Sequence, residues 1–134
     1  MIFVDTSAWL ALADARDRNH ADATALQRRI ARGEFGRQVT TNYVMVETLT
    51  IVRRRLGPKS AVALAEASRD GKGVALFWIE PIHHQQAVEL MAGHGDKQWS
   101  VTDCASFVIM RALEIRDAFA FDEDFHEAGF VTHP

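Results

Sequence analysis

Three short apolar runs, IFV at residues 2–4, VALFWIE at 74–80 and AFAF at 118–121, lack the polar alternation of a strand that faces water on one side. Runs of that kind suit strands buried on both faces. The segments between them are longer, and their apolar residues recur at helical spacing, as Ala23, Leu26 and Ile30 do. Strand alternating with helix predicts an α/β fold with a mainly parallel central sheet covered on both faces. Sheets so built bind their ligands beyond the carboxyl ends of the strands. Two acids are expected at that edge: Asp5, directly after IFV, and Asp122, directly after AFAF.

Helix signals fill the intervals. One helix is expected from Thr6 to Ala15 and a second from Asn19 to Arg32, followed by the turn GEFGR and a short strand, QVTT, at 38–41. Asn42 is a suitable N-cap for YVMVETLTIVRRRL. Gly57-Pro58 separates that helix from KSAVALAEASRDG, where Pro58 suits a first turn and Gly71 an end. Pro81 opens another helix reaching about Gly95, with Ala87, Leu90 and Met91 facing inward. The most apolar helix, VTDCASFVIMRALEI, starts after Ser100 and is expected to lie deep. GFVT at 129–132 is a candidate last strand.

The 134 residues fit one domain, and a chain with 48% hydrophobic and 25% charged residues has the makings of one ordinary globular core. A net charge of −3 gives no global attraction to nucleic acid, and the single cysteine, Cys104, excludes an internal disulfide. AWLALADA ends in small residues, but the basic segment of a secretory signal is missing and Asp5 stands in its place. No run approaches the ~18 apolar residues of a membrane span. The expectation is a soluble, cytoplasmic protein that does not enter a membrane.

Two further acids fall within helices. Glu47 shares a helix face with Val44 and Ile51, and Asp103 shares one with Phe107 and Met110. A carboxylate on an apolar face is costly unless it finds a partner. Each acid has a structural explanation of its own. Asp5 suits a helix cap, Asp103 a capping box with Ser100, Glu47 a reach to solvent, and Asp122 the start of a turn. Those explanations leave unaccounted why Asp5, Glu47, Asp103 and Asp122 all fall at plausible positions around one sheet edge. Clustered carboxylates repel one another and call for a cation. An all-oxygen ligand set suits Mg²⁺ or Mn²⁺, an ion able to activate water for phosphodiester cleavage.

The segments FVDTSAWLAL, TTNYVMVETL, SVTDCASFVIM and AFAFDEDF, in this order and spacing, resemble the PIN-domain family and its VapC-like ribonuclease toxins. The resemblance covers nearly the whole chain. It implies a three-layer α/β/α fold and an Mg²⁺ or Mn²⁺ site held by acids at Asp5, Glu47, Asp103 and Asp122. Thr6 and Asn42 match supporting polar positions, and Asp124 also matches an acidic place, so either Asp122 or Asp124 supplies the fourth carboxylate. It further implies an RNA substrate, a homodimer and inhibition by a small antitoxin protein.

Other residues are candidates for parts of the same chemistry. Arg53–Arg55 with Lys59, and Arg28, Arg29, Arg32 and Arg37, are candidate phosphate contacts, with solvated helix ends the simpler reading. Trp99 is a candidate for base stacking or for packing. Trp9, with Leu10 and Leu12, belongs either to the core or to a groove for the antitoxin. His83 and His84 are adjacent and diverge on a helix, which disfavours zinc, and Cys104 reads as a core residue. Two other functions compete with the nuclease: a non-catalytic PIN-fold binding module, and an aspartyl-nucleophile phosphatase. The phosphatase usually carries a second Asp where this chain has Ser7.

Overall fold

The structure, a computed structural model, describes residues 1–69 and 71–134. Its centre is β1 (Ile2–Val4), whose three residues are all fully buried. The chain turns at Asp5 into α1 (Thr6–Ala13), then runs through α2 (His20–Ala31), whose Ala23, Leu26 and Ile30 stripe packs inward as the spacing predicts. β2 (Gln38–Thr41) pairs parallel to β1 and feeds α3 (Asn42–Leu56). Gly57 takes φ +91°, a left-handed value open to glycine, and so turns α3 directly into α4 (Pro58–Ala67) with Pro58 in its first turn. Asp70, which falls within the helix expected from KSAVALAEASRDG, lies outside the described residues.

β3 (Val74–Phe77) extends the sheet beside β2. It is followed by α5 (Pro81–Ala92) and α6 (Val101–Ala112), which pack against each other. β4 (Asp117–Phe119), the short α7 (Asp124–Glu127) and β5 (Val131–His133) complete the order. The sheet runs β3-β2-β1-β4-β5 and every pairing is parallel. Helices flank it on both sides in the three-layer α/β/α arrangement expected. Phe3, Phe107, Phe119 and Phe125 are fully buried, with Phe107 and Phe125 meeting edge to face at 5.1 Å between ring centres. α6 is the deepest helix, as its apolar composition predicts: Cys104, Ala105, Phe107, Ile109 and Met110 are inaccessible.

Several boundaries differ from the sequence reading. Thr41, not Asn42, caps α3, with its hydroxyl accepting from the Val44 amide at 3.2 Å. Asn42 becomes the first helical residue, and its side chain reaches across to the Ile79 amide instead, at 2.7 Å. VALFWIE stops being a strand at Phe77, because beyond the paired residue Thr41 the neighbouring chain has turned into α3. AFAF is strand only to Phe119, so Asp122 lies three residues past β4, in a turn before the unforeseen α7. Met91 faces solvent, since α5 turns only Ala87 and part of Leu90 toward the core.

Thr41 is fully buried and carries the cap that aims α3. Thr41→Ala is expected to cost about 1–2 kcal/mol in urea unfolding, with Thr41→Ser recovering the hydroxyl's share. Equal losses in both variants would assign the whole effect to the missing methyl.

Candidate active site

The site starts from the geometry of β1. Because β1 is the middle strand, the residue after it emerges at the centre of the sheet's carboxyl edge. That residue is Asp5, only 5% exposed, with its amide donating to the Phe119 carbonyl of β4 at 3.1 Å. Its carboxylate caps α1. Oδ2 accepts from the Ser7 amide at 3.0 Å and from the Ser7 hydroxyl at 2.7 Å. The same hydroxyl accepts from the Phe121 amide at 3.0 Å. Ser7 therefore ties the end of β1 to the segment leading from β4 to Asp122. Sequence reasoning gave Ser7 only as the place where a phosphatase's second Asp was absent. The signal available was a hydroxyl in the first turn of a helix capped by an acid.

Glu47 approaches from α3. The Thr6 hydroxyl donates to its Oε2 at 2.7 Å, which joins the first turn of α1 to the middle of α3. Asp103 sits in the first turn of α6 in the expected capping box. Its Oδ2 accepts from the Ser100 amide at 2.7 Å, and the Ser100 hydroxyl accepts from the Asp103 amide at 3.0 Å. Asp122 also holds its predicted turn, with Oδ1 accepting from the Asp124 amide at 3.1 Å. The structural explanations of Asp103 and Asp122 are thus observed, whereas Glu47, expected to reach solvent, is anchored by Thr6.

Electrostatics brings the five acids into one neighbourhood. Burial pushes the Asp5 carboxyl up from 3.8 to about 6; the Ser7 hydrogen bonds oppose this, and the charge of Asp103 adds to it. Asp103 is raised by burial first, against its Ser100 bonds, and further by Asp122 and Glu47. Asp124 is raised to about 6 by burial, then by the charges of Asp122 and Asp103. No ion pair among the described residues involves any of the five. A cleft of about 430 Å³ opens beside Asp122, lined also by Phe121, Glu123, His126, Thr132 and Pro134.

The sequence pattern of the PIN domain family matches residues 2–131. The chain belongs to the PIN domain family. It is 40% identical over 131 residues to the 23S rRNA-specific endonuclease VapC20 of Mycobacterium tuberculosis, covering 98% of this chain and 96% of that protein. It is also 24% identical over 114 residues to a VapC ribonuclease of Archaeoglobus fulgidus, across 84% of this chain and 72% of the other. The crystal structure of VapC20, described as a Sarcin-Ricin loop cleaving toxin, superposes on the full length of both chains with a TM-score of 0.91 at 38% identity.

Other candidates fall elsewhere in this PIN domain. Asn42 does not face the acids through a hydrogen bond; it secures the backbone at Ile79. Trp99 is 7% exposed, lies against His94 and meets Phe107 edge to face, so it packs rather than receiving a base. Trp9 is 6% exposed with its indole nitrogen on Thr40, which removes it from any surface groove. Arg29 and Arg32 are taken up by Glu34. Arg53–Arg55 are exposed in the last turn of α3, and Arg55 influences Asp14 just past the end of α1. They stand six to eight residues beyond Glu47, about 9–12 Å down the helix and away from the acid edge. Burial pushes the Cys104 thiol up, which suits an inert core cysteine.

Two outcomes follow from this geometry. In metal-free protein the folded Asp5 keeps its proton to about pH 6 while the unfolded chain releases it near 3.8. Across that window the folded state binds more protons, so stability falls as pH rises and levels off above about 6. Urea titrations in chelator should show Asp5→Asn reducing that slope, to which Asp103 and Asp124 also contribute, and stabilising the protein at pH 7 by roughly 2–4 kcal/mol. A parental stability that climbs through the window would contradict the buried, uncompensated carboxylate. For the Ser7 bridge, Ser7→Ala should cost about 1–2 kcal/mol and accelerate amide exchange at Phe121, while Ser7→Thr preserves both. Unchanged exchange at Phe121 in the alanine variant would remove the bridge.

Proposed function

We propose that this PIN domain is a divalent-metal-dependent endoribonuclease, the toxin of a toxin–antitoxin pair, working in the cytoplasm as a homodimer restrained by a small antitoxin. The observation that supports the reading is the mutual charge influence that links Asp5, Glu47, Asp103, Asp122 and Asp124, with the carboxyls of Asp5, Asp103 and Asp124 raised and no ion-paired cation on any of the five among the described residues. Ribosomal RNA is the substrate proposed first, because VapC20, similar over nearly the full length, is a 23S rRNA-specific endonuclease.

The donor set fits Mg²⁺ or Mn²⁺: it is all oxygen, negatively charged and short of counter-charge. Among the described residues no three His, Cys, Asp or Glu side chains are grouped closely enough to hold a metal ion as they stand, so an ion would have to draw the carboxylates together. The anchoring of each acid limits how much must move. Ser7, Thr6 and Ser100 bond Oδ2 of Asp5, Oε2 of Glu47 and Oδ2 of Asp103, fixing each carboxylate through one named oxygen. The ion, when bound, supplies charge stabilisation at a phosphodiester and a lowered pKa for attacking water. The chain's own part is to hold Asp5, Glu47 and Asp103 against mutual repulsion and to present Asp122 or Asp124 as the fourth carboxylate from a turn braced by Ser7. The phosphatase is not favoured, because the residue two after Asp5 is a serine bonded to the would-be nucleophile.

Purified protein should cleave ribosomal RNA with Mg²⁺ or Mn²⁺ and not in chelator. The ion should also raise the unfolding free energy, by about 2.7 kcal/mol at a hundred times its Kd. Asp5→Asn should lose cleavage and most of that stabilisation while staying folded. Asp103→Asn should lose cleavage with only about 1 kcal/mol of capping stability. Cleavage that persists in chelator, or in Asp5→Asn at the parental rate, would overturn the proposal.

A further inference from the structure

The three tryptophans occupy two environments. Trp9 and Trp99 are 6% and 7% exposed, whereas Trp78 is 66% exposed. Trp78 is the first residue beyond β3, whose last residue Phe77 pairs with Thr41 at the end of β2. It therefore leaves the sheet at the same edge as Asp5, two strands across, roughly 10 Å away in the direction of strand pairing. Its segment is clamped by the Ile79 amide on Asn42. The next residue of α3, Tyr43, bonds through its hydroxyl to His84 Nδ1 at 2.7 Å, with the two rings edge to face. Tyr43 precedes Glu47 by four residues, so it lies on the same face of α3, one turn nearer the edge.

We propose that Trp78 and the hydrogen-bonded Tyr43–His84 pair form a subsite for one unpaired nucleotide of an RNA strand lying across the sheet edge. An exposed indole offers a stacking face to a splayed base of any sequence. The phenol and the second imidazole nitrogen offer polar contacts for the sugar or phosphate of the same nucleotide. The rim continues along α3 toward the carboxylates through Glu47, and Arg69, which is paired with Glu66 at 3.7 Å, lines the same groove as Trp78. Behind Trp78 lies an apolar groove of about 280 Å³ walled by Met45, Val46, Leu49 and Leu76. A protein partner would cover that groove; the Tyr43–His84 pair, carried on the α3 face that also bears Glu47, favours RNA.

The inference rests on the reading of the acids as an RNA-cleaving site, and its test fails separately from that reading. With Trp9 and Trp99 buried, acrylamide quenching of intrinsic fluorescence reports mainly on Trp78. In chelator, so that no strand is cut, a single-stranded RNA oligonucleotide should protect the exposed indole, and a duplex of the same sequence should not. Trp78→Ala should weaken single-strand binding about tenfold or more, with Trp78→Phe retaining most of the affinity. His84→Gln and Tyr43→Phe should weaken it less, at an unchanged melting temperature. Parental RNA affinity in Trp78→Ala, equal protection by duplex, or quenching unaffected by RNA would each overturn the subsite. So would protection that grows with protein concentration in the absence of RNA, which would assign the surface to a second copy of the chain. Trp78-dependent binding without any cleavage on restoring metal would sustain the subsite and sink the ribonuclease reading.

Discussion

A carboxylate taken out of water at the end of the central strand governs the arrangement around it. Asp5 is 5% exposed, and the main effect of its burial is to disfavour its charge. Ser7 offsets part of that cost with two hydrogen bonds, and the serine hydroxyl is in turn satisfied by the Phe121 amide. The local cap of α1 is thereby joined to the loop carrying Asp122 and Asp124. A stretch of three residues after β1 thus fixes both the direction of a helix and the position of a loop more than a hundred residues away in sequence.

The parallel sheet does the rest. With every strand running the same way, each strand's exit is at one edge, and the helices entered from β1 and β2 begin there. Asp103 lies in the first turn of α6, where the helix's amide groups present partial positive charge. Those amides and hydroxyls hold three carboxylates in place without neutralising them. Burial first, and repulsion from neighbouring acids after it, raises the carboxyls of Asp103 and Asp124, and that repulsion is what a divalent ion would relieve. The exposed arginines at the end of α3 sit too far along the helix to serve that purpose.

Much of this was legible in the sequence, and the parts that were not have physical causes. The unbroken apolar runs identified a covered parallel sheet because such strands have no polar face. Asp5 and Asp103 were placed correctly because capping chemistry is local. Asp122 was assigned to a strand end too early, since AFAF reads as strand although pairing with β1 ends at Phe119. The role of Asn42 escaped because its partner, Ile79, lies 37 residues away. Tryptophan was the least readable residue: Trp99 and Trp78 both follow short polar or strand segments, and only tertiary packing separates a buried ring from an exposed one. The same holds for Ser7, whose second partner belongs to a distant loop.

The structural and chemical readings of the acids, weighed as rivals in the sequence, need not exclude each other. A carboxylate has two oxygens, and a cap uses one. Asp103 completes the capping box of α6 through Oδ2, and Asp5 caps α1 through Oδ2, so the bond that closes a helix start also fixes the plane in which the other oxygen points. Capping is then a means of preorganisation: a side chain with few remaining rotamers loses little entropy when an ion binds. It follows that removing the side chain and removing its charge are different experiments. An amide keeps an oxygen able to accept the capping bond while giving up the charge, whereas alanine gives up both. For Asp5, where burial opposes the charge, the amide relieves a strain that alanine would exchange for a cavity and an uncapped helix.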